Sequence, residues 1–211
     1  MQVVRTKQEL REALASMRAN GKRIAFVPTM GYLHDGHLEL MREGLKRCDE
    51  VAASIFVNPL QFNDPEDIKK YPVNTERDLE LCEKTGAGIV FLPSPEEMYP
   101  GEGPLLQMSM PDLTRNLCGE YRPGHFEGVL MVGARLLIQV RPDVALFGKK
   151  DYQQYLVIHR MARDLDMETE IIGVPTVREE DGLALSSRNA RLGERAREQA
   201  GLIHRAMKIG E

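Results

Sequence analysis

The sequence has no apolar run long enough to cross a bilayer, and its first ten residues, MQVVRTKQEL, lack the apolar stretch of a signal peptide. Both absences point to a cytoplasmic protein with no membrane partner. There is no Cys-x-x-Cys pair. The three cysteines, Cys48, Cys82 and Cys118, are odd in number and far apart, which argues against a disulfide framework or a zinc ribbon and for buried, reduced thiols. A basic surplus is missing too: 28 Lys and Arg stand against 32 Asp and Glu, for a net charge of −4. Nucleic acid is therefore not expected as a partner, because phosphate backbones are held by excess positive charge. No internal repeat or low-complexity segment occurs. What remains is ordinary globular composition, 42% hydrophobic and 28% charged over 211 residues, enough for one large domain with a small appendage.

Apolar spacing alternates between two periods along the chain. Leu10, Leu14 and Met17 fall on one helical face, and Gly21 provides a stop before the apolar run Ile24 to Val27. Leu38, Met41, Leu45 and Cys48 form a second helical face ahead of Val51 to Val57, which reads as a buried strand, so a βαβ unit spans roughly Ile24 to Val57. Further helices are predicted over Asn74 to Lys84, Phe126 to Val140 and Asp151 to Leu165, with strands at Ile89 to Leu92, Val144 to Phe147 and Glu168 to Val174. This rhythm predicts an α/β fold: a Rossmann-like, doubly wound parallel sheet with helices on both faces. Residues 94 to 123 break the rhythm with five prolines, and the alternation of Leu106, Met108 and Met110 predicts a short edge hairpin there. A boundary is placed near Val177, giving a main domain over residues 1–177, then a polar loop and a helix from Glu194 to about Met207 that begin a small C-terminal domain over 178–211.

Neither a GxGxxG fingerprint nor a GxxxxGK[ST] phosphate loop is present, so a phosphate site must be built otherwise. The candidate is VPTMGYLHDGH, residues 27 to 37, which leaves a strand and opens a helix. Ligands of parallel sheets bind beyond the carboxyl ends of strands, and a helix N-terminus offers free N–H groups and a positive dipole end. Gly31 and Gly36 permit close backbone approach, while His34 and His37, three residues apart, bring two imidazoles to one side. Fixed donors of this kind stabilise the charge that grows on phosphoryl oxygens when ATP is attacked at its α-phosphorus. Solvated turn histidines or metal ligation are the plainer alternatives, although the spacing lacks the Glu of a His-Glu-x-x-His zinc site.

Three further constellations follow apolar strands or lie in polar loops. In FGKKDYQQ, Lys149, Lys150 and Asp151 occupy a strand-to-helix turn on the same sheet edge; a lysine there neutralises phosphate, while Asp151 caps a helix or accepts from a ribose hydroxyl. In LALSSRN, Ser186, Ser187 and Arg188 offer two hydroxyls and a permanent cation to a triphosphate. In FVNPLQF, Asn58 and Gln61 are uncharged amides suited to a substrate's hydroxyls and carboxylate. Taken alone, FGKKDYQQ is more simply read as a solvated turn with a helix cap, LALSSRN as a loop motif that occurs by chance, and FVNPLQF has a plain turn as its alternative reading.

Together, and in this order, VPTMGYLHDGH, FVNPLQF, RPGHFEGV, RPDVALFGKKDYQQ and GVPTVREEDGLALSSRN resemble the pantothenate synthetase (pantoate-β-alanine ligase) family along essentially the whole chain. His-Asp-Gly-His is similar to the HIGH-type signature of the nucleotidylyltransferase superfamily, and Leu-Ser-Ser-Arg to its KMSKS-type counterpart. The resemblance implies two half-reactions: the pantoate carboxylate attacks ATP to give pantoyl adenylate and pyrophosphate, and the amine of β-alanine then displaces AMP.

The resemblance assigns the ATP site to Met30, Gly31, Tyr32, Leu33, His34, Asp35, Gly36, His37, Gly148, Lys149, Lys150, Asp151, Val177, Leu185, Ser186, Ser187 and Arg188. His37 is the implied general acid, with His34, Lys150, Ser186, Ser187 and Arg188 also catalytic. Gln61 and Gln154 are implied to hold pantoate, Gln61 also lying near β-alanine, with Asn58 assisting. Asp78 is the implied contact to Mg2+, which accompanies ATP; no tightly bound organic cofactor is implied. Arg122 and His125 of RPGHF are supporting residues without assigned roles. A homodimer is also implied, as is a C-terminal domain closing over the ATP site, of which residues up to Glu211 supply only the first helix, so that full activity is expected to suffer. Another nucleotidyl transferase on this fold, cytidylyl or nicotinate-nucleotide adenylyl, would share the His pair but not FVNPLQF with KKDYQQ. A binding or dimerisation module would hold pantoate and release no pyrophosphate.

Overall fold

The computed structural model describes residues 1–210. In chain order they form β1 (Gln2–Val4), α1 (Lys7–Ala19), β2 (Ile24–Thr29), α2 (Asp35–Leu45), β3 (Glu50–Ile55), α3 (Pro65–Lys69), α4 (Thr75–Thr85), β4 (Ile89–Phe91), α5 (Pro95–Met98), α6 (Pro111–Thr114), α7 (Cys118–Tyr121), α8 (His125–Val140), β5 (Val144–Gly148), α9 (Tyr152–Asp164), β6 (Glu170–Val174) and α10 (Glu194–Gly210). All six strands are parallel, in the order β1-β4-β3-β2-β5-β6. This is the expected doubly wound sheet, extended by the edge strand β1, whose three residues are too few to show a period.

Apolar runs build the strands because both faces are covered. Along β2, Ile24 and Phe26 enter one buried cluster with Leu10 and Leu14 of α1, Leu130 and Leu137 of α8, and Ile158 of α9. Ala25 and Val27 enter the other, with Leu38 and Met41 of α2 and Cys82 of α4. Local chemistry sets the helix ends. Thr6 and Glu9 form a reciprocal capping box at the start of α1, Glu9 N donating to Thr6 Oγ1 and Thr6 N to Glu9 Oε2. Gly86, at φ 94°, closes α4 in the left-handed conformation that glycine adopts without steric cost.

The switch point lies between β2 and β5: the chain winds from β2 toward β3 and β4 on one side, and from β5 to β6 on the other. Their ladder joins only Ala25 and Phe26 to Val144 and Ala145, although β2 continues to Thr29 and β5 to Gly148. Pro28 has no N–H to extend it. The carboxyl ends of the two central strands therefore part, and a crevice opens between them, where doubly wound sheets bind ligands.

The hairpin expected within residues 94 to 123 is not formed. The segment instead carries α5, α6 and α7, and no residue from 94 to 123 belongs to a strand. The alternation of Met108 and Met110 is real, since both pack against the core, but Leu105 and Leu106 stay exposed and no second strand lies alongside. Pro111 then opens α6 as a first-turn proline.

Candidate active site

The turn from β2 into α2 is held from below. Gly31 (φ 81°) and Tyr32 (φ 49°) both take left-handed backbone. A Cβ on Gly31 would sit 2.9 Å from Oδ2 of Asp78, so only glycine fits there. Asp78, on α4 and 1% exposed, accepts from the amides of Tyr32 at 2.6 Å and Leu33 at 2.7 Å. Thr29 Oγ1 donates to the Ser54 carbonyl at 2.7 Å and accepts from Gly31 N at 3.2 Å. The chain is thus delivered to His34, the extended N-cap of α2, and the first turn of that helix borders the crevice through His34, Gly36 and His37.

The two imidazoles lie with centroids 4.0 Å apart. The His34 amide donates to Nδ1 of His37 at 3.3 Å, which places the proton of the neutral His37 ring on Nε2. Nδ1 of His34 is buried without a partner. Burial above all, then the neighbouring His34 and Lys150, pushes the His37 pKa down to about 3. His34 is lowered by burial and then by Lys150. Both rings are therefore neutral donors in the free site at neutral pH. A stability prediction follows for acid. The unfolded chain protonates His37 near pH 6.5, whereas the folded chain does so only near 3. Between those values the unfolded state holds more protons, so stability falls as pH drops. Thermal melts from pH 7 to 4 should show this decline, and a His37→Asn variant should lose a smaller part of its stability over the same window.

These groups line a cavity of about 330 Å³ together with Lys150, Asp151, Gln154, Arg122 and Arg188. Of the sequence candidates, Met30, His34, Gly36, His37, Asn58, Gln61, Gly148, Lys150, Asp151, Gln154, Val177, Leu185, Ser186, Ser187 and Arg188 all reach it. Val177 and Leu185, eight positions apart, meet because Leu185 N donates to the Val177 carbonyl at 3.0 Å and Arg178 bridges Ala184. Lys150 Nζ lies 3.3 Å from Asp151 Oδ1.

One wall is a closed polar network. Asn58, 1% exposed, donates through Nδ2 to Gln61 Oε1 and to the Gly128 carbonyl, both at 3.0 Å. Its Oδ1 accepts from Tyr99 Oη at 2.9 Å and from Leu60 N at 3.3 Å. His125 contacts the Gln61 carbonyl through Nδ1 at 2.9 Å and Arg122 Nη1 through Nε2 at 3.2 Å. Arginine only donates, so Nε2 accepts and the His125 proton lies on Nδ1. Burial lowers the His125 pKa first, and the ring stays neutral in this role. The network fixes the turn Pro59–Gln61 against the start of α8, where a Cβ on Gly128 would stand 2.3 Å from the Leu60 carbonyl.

Several expectations are corrected by this geometry. Asn58 borders the cavity, but its amide is fully engaged within the protein, so it positions Gln61 instead of offering free donors to a substrate. Asp78 lies beneath the turn with both oxygens bound to amides and lines no part of the crevice, so the contact to Mg2+ is withdrawn. Gly31, Tyr32, Leu33, Asp35 and Lys149 also lie outside the lining. Leu33 is core, the Tyr32 ring lies under Arg77, Asp35 is exposed toward Arg42, and the stem of Lys149 runs over Gly173. Sequence reasoning missed Tyr71, whose ring lies in the wall, since nothing local distinguishes it.

Fold and crevice define an α/β protein whose cavity, at the switch point of a parallel sheet, is lined by histidine, lysine and arginine side chains suited to an anion. The model of the family described as Pantoate-beta-alanine ligase matches residues 2–211, and the chain belongs to that family. It is 53% identical to the pantothenate synthetase of Leptospira interrogans, over all of this chain and 74% of that protein, and 49% identical to that of Syntrophus aciditrophicus, over 98% of this chain and 72% of that protein. Among solved structures, a pantothenate synthetase from Thermus thermophilus superposes with a TM-score of 0.91 at 50% identity, covering 98% of this chain and 73% of that one. A pantoate-beta-alanine ligase from Francisella tularensis, complexed with beta-gamma ATP and beta-alanine, superposes at 0.93 with 36% identity, covering 99% and 79%.

Proposed function

We propose that the crevice condenses pantoate with β-alanine at the expense of ATP, and that it does so through a pantoyl adenylate. The observation that carries this reading is the convergence of His34, His37, Lys150, Ser186, Ser187 and Arg188 on one cavity at the switch point, although they are spread over more than 150 positions. No residue of that set is a nucleophile activated by a base. They are donors and cations, which suits a reaction whose substrates carry the nucleophiles and whose need is charge stabilisation. In the first step a pantoate carboxylate oxygen forms a bond to the α-phosphorus while the bond to the β-phosphoryl oxygen breaks, and pyrophosphate leaves. In the second the amine of β-alanine attacks the acyl carbon, AMP departs with the bond pair, and the amine gives up a proton.

Lys150 and Arg188 neutralise phosphate charge, and Nε2–H of His37 donates to it. An anion bound there raises the His37 pKa, which brings the general-acid role within reach only once ATP is in place. Gln154 and Gln61 hold pantoate. Met30 tunes Gln61, whose Nε2 lies 3.1 Å from the Met30 sulfur. Mg2+ fits as an ion carried in on the phosphates: among the described residues no three His, Cys, Asp or Glu side chains form a cage, Asp151 is the carboxylate in the lining, and magnesium commonly retains water and phosphate ligands. It would supply further neutralisation of the triphosphate. A homodimer, a cytoplasmic location and a boundary near Val177 complete the reading; no helix among the described residues is long and apolar enough to cross a membrane.

The test is pyrophosphate release from ATP and pantoate with β-alanine left out. A stoichiometric burst is expected, followed by turnover when β-alanine is added. Strict dependence of pyrophosphate release on β-alanine would rule out the separate adenylation step.

A further inference from the structure

An acidic residue paired with Arg188 lies outside the crevice. Asp67 sits on the short helix α3 and does not line the cavity, yet both its oxygens are engaged by the turn Ser187–Arg191. Oδ2 accepts from Arg188 Nη2 at 2.7 Å and Oδ1 accepts from Arg191 Nη1 at 2.8 Å. Four residues on, the Tyr71 ring lies 5.6 Å from the Arg188 guanidinium carbon, and its hydroxyl is 3.4 Å from Ser187 Oγ.

We propose that Asp67 is a positioning residue that preorganises Arg188 for the triphosphate, with Arg191 acting as its charge balance. This inference rests on the reading of Arg188 as a phosphate ligand. Three features lead to it. A free arginine loses its rotamer freedom when it binds an anion, whereas one already held at a single N–H and stacked on an aromatic face has lost that freedom beforehand and keeps its remaining donors for the ligand. Arg122 shares the crevice as a second cation whose charge is disfavoured first by burial and then by Arg188, and Asp67 offsets part of that repulsion before any phosphate arrives. Finally, one carboxylate set against two guanidiniums leaves the turn with a net positive charge. Were Asp67 paired with Arg188 alone, it would cancel the charge the ligand needs. The Arg188 hydrogen bond keeps the Asp67 carboxyl below its ordinary range, so the bridge persists at neutral pH.

Calorimetric dissociation constants for ATP and for pantoate, measured separately, test the assignment. Asp67→Asn should weaken ATP by about tenfold while leaving pantoate within about twofold, and Asp67→Glu should recover most of the loss. In an Arg188→Ala background, Asp67→Asn should cost less than about twofold more, because the partner it acts through is gone. The inference fails if Asp67→Asn binds ATP as well as the parent, or better, as a carboxylate competing for Arg188 would require. It also fails if both ligands weaken equally alongside a lowered melting temperature, the mark of a merely structural tie. An Arg188→Ala protein that binds ATP like the parent would overturn the phosphate-ligand reading itself. Weakening by Arg188→Ala without weakening by Asp67→Asn would remove Asp67 alone.

Discussion

Replacing His37 by alanine lowers the rate of pyrophosphate formation by one to three orders of magnitude, on the order of 2 to 4 kcal/mol of barrier, while ATP binding changes far less. The neutral ring reaches the crevice with its proton on Nε2, because Nδ1 is occupied by the His34 amide. A donor fixed in a partly desolvated site contributes most when charge on the phosphate oxygens is greatest, at the transition state, and less in the ground state. Folding stability should stay close to that of the parent. The ring is held in place at the cost of a pKa near 3, so its loss removes an acid liability together with a contact. His37→Gln separates the two roles open to the ring. An amide N–H restores hydrogen bonding but cannot deliver a proton, so partial rescue marks a donor and none marks a general acid. Pyrophosphate exchange in His37→Ala equal to that of the parent would remove the residue from the mechanism altogether.

The parallel sheet was legible in the sequence because β2, β3 and β5 are buried on both faces and are predominantly apolar, while α1, α2 and α9 carry one-sided stripes. The crevice was legible for a related reason: each strand-to-helix turn on the carboxyl edge holds its own short polar motif. What could not be read was the direction in which amides and carboxylates point. Asn58 and Gln61 sit three positions apart in one motif and both border the cavity, yet the amide of the first is consumed by Gly128 and Tyr99, partners 70 and 41 positions away. The alternation of Met108 and Met110 predicted a strand because period two records burial on one side, and an extended segment without a partner gives the same signal. Asp67 drew no notice for the same reason as Tyr71: its partners, Arg188 and Arg191, lie more than 120 positions on.

Asp78→Ala should be the most damaging single change outside the crevice lining, lowering stability by about 2 to 4 kcal/mol and ATP affinity with it. Its carboxylate is 1% exposed and receives the Tyr32 and Leu33 amides, so truncation leaves two buried N–H groups without acceptors, each costing about 1 to 3 kcal/mol. Part of that is recovered because burial already raises the Asp78 pKa against the pull of those amides. The turn itself suffers further. Gly31 and Tyr32 both hold positive φ, and without the amide clamp the strain at Tyr32 favours a different path, which moves His34 and the N-terminus of α2 away from the crevice. Asp78→Asn is an informative partner, since its oxygen can satisfy one amide while its NH2 faces the other, giving an intermediate loss. A metal-binding role predicts the opposite pattern: a parent-like melting temperature without ligands, and ATP binding restored by raising Mg2+. Urea unfolding of the two variants, with ATP titrations at low and high Mg2+, distinguishes a brace beneath the turn from a ligand above it.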